Sequence, residues 1–278
     1  MSKRLLALYA LKYNPFSPEV PTSALCFTPA IESFCWRIEQ QIGEGGFALI
    51  SGDPGTGKSA VLRILMDRLA AQRDVRVGIL SRPQASVADF YRELGDLFGV
   101  TLTASNRWGG SKALRQKWQA HTEASLVRPV LLIDEAQAMS SAALCELRLL
   151  SSAELDSRSL LSVVFAGDER LVGKLRTDEL LPLASRIRSR LRCEAATPGQ
   201  LKECLCQHMK KAGNPQLIPA ALVDTLAEHA AGNYRVLMNM DNDLLAAALQ
   251  READHIDEKL FFEVFALNPK PSRTGSKS

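Results

Sequence analysis

The sequence holds no apolar run near the roughly 18 residues that a membrane-crossing helix needs. Its opening, Met1-Ser-Lys-Arg-Leu-Leu-Ala-Leu-Tyr-Ala-Leu11, is too brief for the apolar region of a secretory signal and lacks a convincing cleavage site. A cytoplasmic protein without membrane contact is expected. Neither sign of charge dominates: 34 Lys and Arg against 31 Asp and Glu leave +3, so any nucleic-acid contact must come from local clusters. Paired cysteines are also missing. Cys26, Cys35, Cys145, Cys193, Cys204 and Cys206 form no Cys-x-x-Cys pair. Cys204, Cys206 and His208 are close in sequence, but on a helix Cys206 points away from the face the other two share. Reduced, mostly buried thiols are therefore expected, and no metal among them. His121, His229 and His255 sit in helical patterns without a nucleophile beside them and read as structural or surface residues.

What is present is an alternation of strand and helix patterns, followed by helices alone. Residues 1–28 are interrupted by Pro15, Pro18 and Pro21 and read as an irregular, extended segment whose apolar residues pack against something. Thr28 and Pro29 open a helix that stops at Gly43. Phe47-Ala-Leu-Ile-Ser51, Val75–Leu80, Val130-Leu-Leu-Ile133 and Leu160–Ala166 read as strands, and helical patterns occupy Lys58–Gln72, Val87–Phe98, Ser111–Ser125 and Ser140–Ser151. Thr101–Gly110 reads as a loop. Long apolar strands alternating with helices predict an α/β fold, a parallel sheet sandwiched by helices, over residues 29–196. From Thr197 to about residue 267 four helices follow without strands, forming a small all-α domain. Residues 268–278 are basic, rich in Pro and Ser, and expected to be disordered.

The chemistry concentrates in Gly52, Asp53, Pro54, Gly55, Thr56, Gly57, Lys58 and Ser59, with Ala60 just beyond. Placed between a strand and a helix, this run has the glycine, lysine and serine spacing of a loop that cradles phosphates. The glycines let several N–H groups converge on phosphate oxygens, Lys58 neutralises the terminal phosphates, and the Ser59 hydroxyl suits Mg²⁺. The carboxyl end of the strand at Val130 carries Asp134 and Glu135, suited to a metal-water ligand and to a base that polarises an attacking water. Arg186, Arg188, Arg190 and Arg192 stand at every second position. Two uses are open for them, an arginine supplied to the γ-phosphate of a neighbouring subunit or contact with DNA phosphates, while a plain solvated face is a weaker explanation because Ile187 and Leu191 interrupt the charge. Arg107, Lys112, Arg115 and Lys117, interleaved with Trp108 and Trp118, form the most basic internal stretch. It is either a DNA contact or a solvated helix face over core tryptophans.

Taken together, these residues resemble the AAA+ branch of the P-loop ATPases. Gly52–Ser59 looks like its Walker A motif, Val130-Leu-Leu-Ile-Asp-Glu135 like its Walker B, Ser185–Leu191 like its arginine-finger box, and Gly232-Asn-Tyr-Arg235 like its sensor 2 on a helical lid. The resemblance implies ATP and Mg²⁺ as ligands, with Ser59 and Asp134 on the metal and Glu135 as base. It implies Arg190 as the finger, with Arg186 second, and Arg235 reaching the nucleotide. Asp168 stands nearest the sensor 1 position, although a carboxylate there would repel the γ-phosphate. Asn14-Pro-Phe16, Gly45-Gly-Phe47, Asp134-Glu-Ala-Gln137, Glu146–Leu150 and Phe165–Leu171 are similar to the ExeA/TniB/MuB-like group, which contains secretion ATPases and helpers of DNA transposition. An ExeA-type secretion ATPase would continue into a membrane span and a cell-wall-binding region, whereas this chain ends soon after its helical domain. The expectation is therefore an ATPase that assembles as a ring or helical filament on double-stranded DNA and recruits or activates a transposase. The alternative is an assembly ATPase acting on protein partners. A small-molecule kinase fits poorly with the Asp134-Glu135 pair and the arginine box.

Overall fold

The computed structural model describes residues 3–101, 107–125, 127–153 and 158–266. In chain order its elements are α1 Lys3–Leu8, α2 Pro29–Gln41, β1 Gly46–Gly52, α3 Lys58–Ala70, β2 Val75–Leu80, α4 Val87–Phe98, α5 Arg107–Ala120 and β3 Arg128–Ile133. There follow α6 Ser141–Ser151, β4 Ser152–Ala153, β5 Arg158–Ser159, β6 Ser162–Gly167, α7 Glu169–Leu175, α8 Leu181–Ala184 and β7 Ile187–Cys193. Helices α9 Pro198–Ala212, α10 Ala220–His229, α11 Tyr234–Arg251 and α12 Glu258–Ala266 complete it. Two compact units result: Phe27–Glu194, and the N-terminal segment to Cys26 joined with the chain from Ala195.

In the first unit a parallel sheet of order β2-β3-β6-β1-β7 is flanked by helices. Its middle strands are apolar on both faces. Val130, Leu131, Leu132 and Ile133 of β3 and Val163–Ala166 of β6 are almost wholly buried, the pattern of strands covered by helices on both sides. Strand β7, at an edge, instead alternates: Ile187, Ser189 and Leu191 face inward while Arg188, Arg190 and Arg192 face solvent. Between sheet and helices, Phe47 stacks on Phe165 at 5.9 Å and Phe98 meets Trp118 edge-on at 5.3 Å. Helix ends follow local chemistry. Thr28 caps α2 with Pro29 behind it, Ser86 caps α4, and Gly99 ends α4 in the left-handed region. Arg68 of α3 clamps α2 through Glu39 at 2.5 Å and Glu32 at 2.8 Å.

In the second unit, α9 begins with a full capping box between Thr197 and Gln200 and ends at Gly213. The N-terminal segment does not remain extended as expected. Lys3–Leu8 is helical, because the prolines begin only beyond it. Leu5, Tyr9, Leu11 and Phe16 join one core with Leu205, Met209, Leu222 and Leu244. The Lys12 N–H donates to Ala212 O at 2.8 Å and Tyr9 Oη to Ala253 O at 2.9 Å.

Three further details differ from expectation. Helix α5 starts inside the presumed loop, at Arg107, and passes at His121 into a wider turn. Ser152–Ala153 and Arg158–Ser159 pair as a two-rung antiparallel ribbon too short to leave a periodic signal. Strand β6 starts at Ser162, after Leu160 N–H has bonded back to Ser151 O. The basic tail from Asn268 lies outside the described residues. No described helix is long and apolar enough to cross a membrane.

Candidate nucleotide site

Strand β1 delivers Gly52 to the sheet's carboxyl edge, where open parallel sheets bind ligands. There the chain passes so close to β7 that a Cβ on Gly52 would lie 2.2 Å from the Cys193 carbonyl oxygen. Any larger residue would push the loop off the sheet. Gly57, at φ 99°, turns the loop into α3. Helices α2, α4, α6, α7 and α9 each have a side-chain cap, from Thr28, Ser86, Ser140, Asp168 and Thr197, but α3 has none. Its first-turn N–H groups are thus available to an anion, and the helix dipole favours one there.

Lys58 is nearly buried, and its Nζ donates to Gly52 O at 2.9 Å and Asp53 O at 3.0 Å. Two carbonyls of its own loop hold the ammonium in place. Thr56 Oγ1 closes the turn on Asp53 O at 2.8 Å. Ser59 is exposed on the first turn of α3 with half-buried Ala60 beside it, and Asp53 and Pro54 are exposed on the loop.

Beyond β3, Asp134 is half-buried and its Oδ1 accepts the Glu135 N–H at 2.9 Å. Glu135 lies in the left-handed region, φ 51° and ψ 37°, a backbone state that costs a residue with a Cβ about 1–3 kcal/mol. Gln137, buried and two residues on, was not singled out as a site residue by its sequence. Its Nε2 donates to Glu135 Oε2 at 2.5 Å while its Oε1 accepts the Asp168 N–H at 3.3 Å, linking the ends of β3 and β6. Lys174 of α7 fixes this turn through Gln137 O at 2.9 Å and Met139 O at 2.7 Å. The signal was only the Glu-x-Gln spacing, which gains meaning once β6 is known to be the neighbour of β3.

Asp168 is engaged elsewhere. Its Oδ1 caps α7 through the Arg170 N–H at 2.9 Å and its Oδ2 accepts Arg170 Nε at 2.8 Å. The Arg170 hydrogen bonds hold its carboxyl below the usual range, with the Lys58 charge adding to the effect.

The arginines are distributed along the edge. Arg190 pairs in register with Leu49 of β1, and its Nη2 donates to Ala184 O at 3.2 Å. Arg186 donates to Pro182 O, Arg188 meets Glu44 at 2.6 Å, and Arg192 lies 3.5 Å from Glu169. Arg235 belongs to the other unit, exposed on the first turn of α11, whose N–H groups Asn233 Oδ1 caps. Of the basic stretch, Lys112 is exposed and Arg115 half-buried, while Lys117 Nζ bonds Gly99 O at 2.9 Å. The side chains of Arg107 and Trp108 lie outside the described ones. Trp118 is 1 % exposed, a core residue.

A glycine loop after β1, a caged lysine and an acidic pair after β3, with β6 between the two strands, have the arrangement of a P-loop nucleotide site. Residues 40–175 match the AAA domain family. The chain is 30% identical over 217 residues to general secretion pathway protein A of Aeromonas hydrophila, an alignment covering 76% of this chain and 39% of that protein. The match therefore spans about two fifths of that relative's length. Among solved structures, Cdc6p of Pyrobaculum aerophilum superposes with a TM-score of 0.70 at 17% identity, over 90% of this chain and 69% of that one. The Aeropyrum pernix ORC1 protein in complex with DNA gives 0.68 at 18% identity, over 91% and 68%. Over residues 40–175 the chain carries the AAA domain, and it is similar to the secretion-pathway protein across most of its own length.

Proposed function

We propose that this protein is an ATP-dependent DNA-binding ATPase that assembles as a ring or filament on double-stranded DNA and recruits or activates a transposase. The observation that carries the reading is the outward row Arg188, Arg190 and Arg192 on edge strand β7, with Arg186 before it. In it, Arg190 or Arg186 reaches a neighbouring subunit's nucleotide and exchanges its own-chain carbonyl for phosphate. Lys58 and the α3 N-terminus hold the phosphates, Glu135 polarises the attacking water, and Gln137 orients that carboxylate. Ser59 and Asp134 are oxygen donors of the kind Mg²⁺ takes. With the nucleotide, that ion supplies neutralisation of phosphate charge. Arg235 serves as the contact from the helical unit. Lys112 and Arg115 are the DNA contacts on α5, with Arg107 and Lys117 adjoining. The sequence resemblance to transposition helpers supports the transposase as partner, and the ORC1 protein solved with DNA supports a duplex as platform.

A second reading is favoured by the 30% identity to the secretion-pathway protein: assembly work on protein partners without DNA. ATP hydrolysis and assembly measured with and without duplex DNA separate the two. The first reading predicts ATP-dependent DNA binding that falls steeply as salt rises. No binding at low salt with ATP present would leave only the second.

A further inference from the structure

Two cysteines and a histidine that the ATPase chemistry does not use meet in the unit built from the N-terminal segment and α9. The Sγ atoms of Cys26 and Cys204 and a ring nitrogen of His208 all lie within 4.8 Å of one another. Cys204 and His208 are one turn apart on α9, and both are buried. Cys206, their sequence neighbour, is exposed. The third donor comes instead from the far end of the N-terminal segment, whose course along α9 is fixed by Gln207 Nε2 on Leu25 O at 3.3 Å and Lys211 Nζ on Ser23 O at 2.6 Å.

The imidazole is the telling group. His208 is 4 % exposed and its Nδ1 lies 3.0 Å from Pro15 O. A carbonyl only accepts, so Nδ1 carries the proton and Nε2 of the neutral ring has a free lone pair. That Nε2 is buried without a hydrogen-bond partner. An imidazole with one nitrogen fixed on a backbone carbonyl and the other bare is in the tautomer and orientation of a metal ligand. A second buried group is also unsatisfied: Asp241, fully enclosed on α11, has no hydrogen-bond partner on either oxygen among the described residues.

We infer that Cys26 Sγ, Cys204 Sγ and His208 Nε2 form a binding site for a borderline-soft divalent cation of the zinc type. Two sulfurs and an imidazole are the donor set such an ion selects over magnesium or calcium. Tetrahedral zinc, with bonds of about 2.3 Å to sulfur and about 2.0 Å to nitrogen, places its donors about 3.5–3.8 Å apart, within the 4.8 Å limit found here. On binding, each thiol releases its proton to solvent, and two thiolates balance the ion's charge. Water takes the fourth position. The ion would fasten the end of the N-terminal segment to α9, a structural role separate from ATP turnover.

The test uses the full chain, stripped with a chelator, reduced with a phosphine and titrated with cobalt(II). The site predicts one cobalt per chain, with thiolate-to-cobalt charge-transfer absorption and the d–d bands of a tetrahedral ion, displaced by one equivalent of zinc. Cys26→Ser and His208→Asn should each weaken binding by at least about tenfold, while Cys206→Ser binds as the parent does. Absence of the charge-transfer band in the reduced parent overturns the inference, and this reading does not depend on any variant folding. So does a band that forms in both Cys26→Ser and His208→Asn with the parent's cobalt affinity. A Cys26–Cys204 disulfide trapped by alkylation in protein kept from oxidants would also overturn it.

Discussion

Lys58 shows how much of the site is decided within one loop. Its ammonium is nearly buried on two carbonyls of its own loop, so it is positioned before any nucleotide arrives. Lys58→Ala removes charged hydrogen bonds worth about 1.5–3 kcal/mol each. Nucleotide affinity, read with a fluorescent analogue, should fall by about two orders of magnitude or more, and parent-like affinity would contradict the role. Glu135→Gln should leave that affinity intact while slowing turnover by about 10²–10⁴. Gln137→Ala frees the Glu135 carboxylate and should lower kcat about tenfold with little change in KM; a changed KM with unchanged kcat would assign Gln137 to binding instead. The loop and the acidic pair were legible in the sequence because each is a contiguous run beside one strand. Gln137 was not, because its importance depends on Asp168, which only the pairing of β3 with β6 brings within reach. The same geometry explains why Asp168 suits a phosphate contact poorly: Arg170 and the cap of α7 hold both its oxygens.

Among the elements, β7 and α5 show where arginine, lysine and tryptophan mean different things. In β7 the every-second-residue arginines are the solvent face of an edge strand whose other face holds Ile187 and Leu191 against the sheet. In α5 the interleaved Trp118 packs on Phe98, and its neighbour Lys117 is bonded to Gly99. Trp118→Ala should therefore destabilise the protein by about 3–5 kcal/mol in urea unfolding. Loss of DNA binding without loss of stability would show that the tryptophan faces a ligand. The long elements were readable from periodicity, and Thr28 and Thr197, each followed by proline, are N-caps as that context implies; Ser86 and Ser140 cap two more helices. The β4–β5 ribbon and α1 escaped because a two-residue strand has no period and a six-residue helix barely exceeds one turn.

For the whole molecule, the sequence pattern and the fold agree on the AAA+-like architecture: a parallel sheet whose carboxyl edge carries the loop and the acidic pair, and a separate helical unit. Tertiary placement of Cys26 lay outside any sequence signal, since its partners on α9 come from the opposite end of the chain. The central claim is that the pocket at Gly52–Ser59 is completed by an arginine from a neighbouring subunit. It predicts that two inactive chains can repair one another. Arg190→Ala retains a whole loop and acidic pair but cannot donate the finger, whereas Glu135→Gln donates the finger but cannot polarise water. The direct measurement is the ATP turnover of an equimolar mixture of the two, with duplex DNA present and assembly followed by light scattering. The account predicts turnover in the mixture well above that of either variant alone. Parent-like turnover by Arg190→Ala alone, or a mixture that assembles yet stays as inactive as its components, would contradict it.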